Sequence, residues 1–153
     1  MQRDPQDDQV VEDAAHHRLR IAELGDEIAE LSAHIDAATA RLLSAIAEFN
    51  RRQGWNDGFV SCAQWLSHRV GITLVTAREK VRVARALDDL PRIGEALARG
   101  RISYSKVREL TRIATPENEE ELVELSQAGT ASQVQRIVRA YRRCEQAELD
   151  TAE

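Results

Sequence analysis

The apolar positions of this chain recur at helical intervals from end to end, and no segment alternates apolar with polar residues as a strand would. The longest pattern spans Leu19 to Arg52. Within it Leu24, Ile28, Leu31, Ile35, Ala38, Leu42, Ala45 and Phe49 are spaced alternately by four and three residues. That is a heptad seam of period 3.5. A helix of this length, about 45 Å over 30 residues, is too long for one small domain to cover. Two readings share the pattern: a spine on which later helices pack, or a coiled coil that pairs two chains. Residues 1–17, MQRDPQDDQVVEDAAHH, have little to bury and are expected to form a disordered acidic tail.

RRQGWNDGFV is the clear break, with turn chemistry at Asn56, Asp57 and Gly58. Both tryptophans and Phe59 fall within or beside it, either as a plug on the helices or as an exposed stacking platform. SCAQWLSHRVGITLVTAREKVRVARAL then reads as helix, tight turn, helix. Ser61 caps the first helix with Gln64 as partner, Gly71 ends it, and Thr73 or Thr76 opens the second. A basic second helix after a glycine turn is a helix-turn-helix pattern. Further on, Asp88 or Asp89 caps a helix with Pro91 in its first turn. Ser103 caps the next, Thr115-Pro116-Glu117 restarts another, and Thr130 with Gln133 opens the last. Gly71, Gly100 and Gly129 are spaced by 29 residues and each precedes an arginine-bearing helix, which suggests an array of such pairs.

These elements predict an all-α fold: a bundle of about seven helices with a long N-terminal helix and helix-turn-helix-like pairs. One domain is expected over residues 18–148, with a short tail at 149–153. Aromatic residues are only 4% of the chain, so the core must be built from Ala, Leu, Ile and Val in closely packed helices.

The net charge of −5 gives no global basicity, but it is unevenly placed. Residues 1–50 balance at −7, residues 69–112 at +6 and residues 113–153 at −5. In the positive island, Arg78, Arg82 and Arg85 lie along one side of a helix, with Lys106, Arg108 and Arg112 on a later one. Either these are solvated faces or they are phosphate contacts for DNA. Arg136, Arg139 and Arg143 line the last helix.

Catalytic chemistry finds little to work with. There is no glycine-rich phosphate loop and no nucleophile elbow. Cys62 and His68 fall on opposite faces of one helix, and Asp88-Asp89 and Glu119-Glu120-Glu121 read as cap and solvated first turn rather than as catalytic pairs. Cys62 and Cys144 both fall beside core positions and read as small hydrophobes of a reduced, cytoplasmic protein. No metal site, cofactor, small-molecule substrate or membrane span is expected.

From Leu24 to Arg143, through GWNDGFVSCAQWL, ITLVTAREKVRVARAL and RISYSKVRELTRIA, the chain resembles a bacterial family known as domain of unknown function 222 (DUF222). The resemblance implies a helical domain that stands N-terminal to a metal-dependent nuclease module of the His-Asn-His (HNH) type, in a DNA-associated setting. That module needs a general-base His, metal ligands and usually paired CxxC motifs, none of which this chain carries, so no enzyme activity is expected of it. Two functions follow as expectations. One is a DNA-binding or targeting module using Arg78, Arg82, Arg85, Lys106, Arg108 and Arg112. The other is a homodimer formed through residues 20–50. A continuous basic face favours the first, and acids interleaved among the arginines favour the second.

Overall fold

A computed structural model describes residues 4–152. They form seven helices and, among the described residues, no strand: α1 (Pro5–Arg51), α2 (Cys62–Val70), α3 (Leu74–Leu87), α4 (Pro91–Ala98), α5 (Tyr104–Leu110), α6 (Glu119–Ala128) and α7 (Ala131–Ala152). The local signals act as read. Ser61 Oγ accepts from Gln64 N, Thr73 Oγ1 from Thr76 N and Ser103 Oγ from Lys106 N. Thr130 and Gln133 form a reciprocal capping box. Gly71 closes α2 in the left-handed region at φ 76°.

Several expectations are corrected. The acidic tail expected over residues 1–17 is helical from Pro5 onward: Asp4 caps it and Asp7 and Asp8 lie in its first turn, so the acids support the helix. Residues 1–3 lie outside the described residues. The tail expected at 149–153 is likewise the end of α7 as far as Ala152, and Glu153 lies outside the described residues. Thr115 does not open α6. Asn118 Oδ1 accepts from Thr115 N and its amide donates to the Ile113 carbonyl, closing a turn that holds the helix back to Glu119. The 29-residue repeat does not extend to a third equivalent turn. Gly71 and Gly100 have positive φ, whereas Gly129 sits at −111°. Cys144 is exposed, because α7 buries Val134 and Val138.

The body forms where the C-terminal half of α1 meets α3 and α4. α2 packs on α3, α6 on α4, and α7 on α5. Leu43, Ile46, Val83, Ile93, Leu97, Ile102, Val107 and Leu110 fill the centre. The stripe of α1 facing the body includes Ala33, Asp36, Ala40, Leu43, Ile46 and Ala47, all buried or half-buried. Its small residues let the α4–α5 corner come close. A Cβ on Gly100 would stand 2.8 Å from the Cβ of Ala33. Asp36 Oδ1 accepts from Tyr104 N, 3.1 Å away, and so caps α5 across the bundle.

A second cap also comes from far along the chain. Asp88 and Asp89 do not cap α4, whose N-cap residue Leu90 has no side-chain acceptor. Glu119, only 2% exposed, does so from α6: its Oε2 accepts from Arg92 N at 3.1 Å and Ile93 N at 3.2 Å. Pro91 has no N–H to satisfy, so this one carboxylate completes the first turn.

Candidate functional site

Four of the six predicted contact residues act as bolts within the body. Arg82 holds Glu79 in a two-pronged pair (2.6 and 3.1 Å), and also donates to Thr111 Oγ1 and to the Arg108 carbonyl. Arg112 reaches the same Glu79 oxygen at 2.8 Å and Glu109 at 3.6 Å. Arg108 stands 3.8 Å from Glu109, and its Nε is buried with no partner among the described residues. Lys106 Nζ donates to the Ser126 carbonyl at 2.6 Å, a cation on the last turn of α6. These side chains tie α3 to α5 and α5 to α6. The acids interleaved among the arginines are Glu79 and Glu109.

The Arg82 guanidinium, with Arg112 and Arg108 near it, holds the Glu79 carboxyl below its ordinary 4.5 despite partial burial. A lowered folded value contributes stability above the unfolded value and loses it as pH falls through the folded one. Wild type is therefore expected to out-melt Glu79→Gln at pH 7, with the gap closing below pH 4.5. Parallel thermal scans from pH 7 to 3 check this, and a gap that widens in acid contradicts it.

Arg78 and Arg85 are placed differently. Both are exposed, with no side-chain partner among the described residues. They line a groove of about 670 Å³ with Trp55, Val60, Ser61 and the stem of Arg82. Trp55 and Trp65 are half-buried and pack on the core, and Phe49 stacks on Trp65 with ring centres 4.1 Å apart, so the aromatic group is a plug. A further free row, outside the six contact residues predicted, lies on α7. Arg136, Arg139 and Arg143 are exposed with no ion pair among the described residues.

One open surface is apolar. Ile21, Ile28, Leu31, Ile35 and Leu42 are exposed, Ile28 at 64% and Ile35 at 66%. Together with half-buried Leu24 they occupy one face of α1, turned away from the stripe that packs on the body. The spine is thus another stripe of α1, and the predicted seam is left open from Ile21 to Leu42, while Phe49 at its C-terminal end packs on the core.

Among the described residues no group of three or more His, Cys, Asp or Glu could hold a metal ion, and no helix is long and apolar enough to cross a membrane. The fold is thus a seven-helix domain with a projecting, two-faced first helix. The family model described as Domain of unknown function (DUF222) matches residues 22–151, and the chain belongs to that family. No curated protein and no solved structure matches it.

Proposed function

We propose that this domain is a non-catalytic assembly module that joins copies of the chain through the open face of α1. What supports the reading is the exposure of Ile21, Ile28, Leu31, Ile35 and Leu42 on one heptad face. A monomer gains nothing by keeping such a stripe in water. An isolated projecting helix also draws little stability from propensity alone. Replacing both Ile28 and Leu31 with Glu is expected to abolish concentration-dependent association in sedimentation equilibrium. The melting of the body should stay within about 0.5 kcal/mol, because both positions are exposed in the single chain. A wild type that stays monomeric, or association that survives the double substitution, overturns the reading.

Polyanion binding is the second reading, favoured by the free guanidiniums of Arg78 and Arg85 over the groove. In this reading Arg82, Lys106, Arg108 and Arg112 shape the scaffold and the two free arginines meet phosphate. The DNA-associated, bacterial, cytoplasmic setting beside a His-Asn-His nuclease module belongs to the same proposal. Duplex DNA binding, followed by anisotropy, is expected to weaken with salt. Arg78→Ala and Arg85→Ala should each flatten the slope of log affinity on log salt by about 1. No binding at roughly 50 mM salt, where the attraction is strongest, removes this reading.

A further inference from the structure

We propose that the groove between the start of α2 and the exposed side of α3 is a binding site for a phosphate monoester, the terminal phosphate of a nucleotide-sized ligand. It shares Arg78 and Arg85 with the polyanion reading above, but it takes one dianion in place of the phosphate row of a duplex.

Charge carries it first. The chain has a net charge of −5, yet among the described residues no carboxylate lines this groove, whereas Arg78, Arg82 and Arg85 do. The acids nearest in sequence to the two free arginines are already held. Glu79 is taken by Arg82 and Arg112, and Asp88 by Arg51 at 2.8 Å. Behind the groove Arg82, Arg108 and Arg112 share Glu79 and Glu109, which leaves one positive charge over. Two unpaired guanidiniums therefore stand in a field that is already positive, and an anion is what would neutralise them.

The size of the anion follows from the donors. Arg78 and Arg85 are two turns apart on one side of α3, about 10 Å along its axis, so their long side chains can close on one ion between them. A duplex footprint engages several phosphates in a row, and two free cations stand here. A phosphate monoester carries close to two negative charges near pH 7 and three strong acceptor oxygens. A carboxylate has one charge and two oxygens, and leaves donors over. Ser61, Cys62 and Ala63 form another part of the lining, and the N–H groups of Cys62 and Ala63 have no acceptor among the described residues. They add to the arginines the kind of donor that phosphate accepts from.

The rest of the lining has room for an organic group. Trp55, Val60, Val81 and Ala86 are apolar, and Val60 is 81% exposed. The volume of about 670 Å³ is that of a small-ligand pocket rather than of a single ion. Trp55 also carries a buried indole N–H with no acceptor among the described residues, a donor the chain itself leaves unused.

Calorimetric titration of the whole chain with adenosine monophosphate, at roughly 50 mM salt, is expected to show one site with a dissociation constant below about 1 mM. Adenosine and inorganic phosphate should each bind at least about 10-fold more weakly, because each lacks one half of the ligand. Arg78→Ala and Arg85→Ala should each weaken the monophosphate by about 10-fold. Arg136→Ala, which removes an equally free arginine from α7, should leave it unchanged. Adenosine, inorganic phosphate or succinate bound as tightly as the monophosphate overturns the site, as does an affinity that neither groove substitution moves. A duplex bound equally with and without terminal phosphates, while the monophosphate does not bind, overturns the monoester site and leaves the duplex reading standing. The monophosphate bound and the duplex not bound supports the site and removes the duplex reading. Binding of neither overturns both.

Discussion

Glu119→Ala is expected to lower the unfolding free energy by about 2–4 kcal/mol, since it strands one buried and one half-buried donor at once. The backbone N–H groups of Arg92 and Ile93 have no other acceptor in their first turn, and Pro91 and Leu90 offer none. Replacement by alanine also opens a void at a site 2% exposed. Glu119→Gln keeps one carbonyl oxygen able to accept both bonds but removes the negative charge at the helix start. It should cost less, about 0.5–1 kcal/mol, the size of a charge–dipole contribution. Urea titrations of the three proteins decide the matter. An alanine variant as stable as the glutamine variant would mean that the carboxylate is not the cap.

Gly100→Ala is the second large effect, expected at about 2 kcal/mol or more. Gly100 sits at φ 68°, where a side chain alone costs about 1–2 kcal/mol. The new methyl would also meet Ala33, with its Cβ at 2.8 Å and its Cα at 3.2 Å. That contact is with helix backbone and cannot swing aside. The α4–α5 corner must lift off α1, and the bond from Tyr104 N to Asp36 weakens with it. Gly71→Ala separates the two causes. It has a similar φ, 76°, but nothing within 4 Å of the added carbon. A Gly100 variant no worse than the Gly71 variant would remove the close approach from the account.

Local chemistry was legible in the chain, and long-range choice was not. Ser61, Thr73, Ser103 and Thr130 cap helices that begin next to them, so their signals are written within four residues. Glu119 caps a helix that starts 28 positions earlier, and nothing around it marks a cap. The heptad seam was visible because isoleucine and leucine are large. Half of the stripe that α1 packs on the body is alanine, whose value lies in the close approach it permits. Spacing set Arg78, Arg82 and Arg85 on one side of α3. It could not show that Arg112, thirty residues beyond Arg82, joins it on Glu79 and leaves Arg78 and Arg85 free.

Caps borrowed from distant helices bear on the order of folding. α4 and α5, of eight and seven residues, are too short to persist alone. α4 begins on a carboxylate from α6, and α5 adds one from α1 to its own Ser103 cap. Neither completes its first turn ahead of its donor, so the body should cross its barrier as one concerted event. The N-terminal arm of α1 stands outside that event, and its helicity should rise and fall with protein concentration.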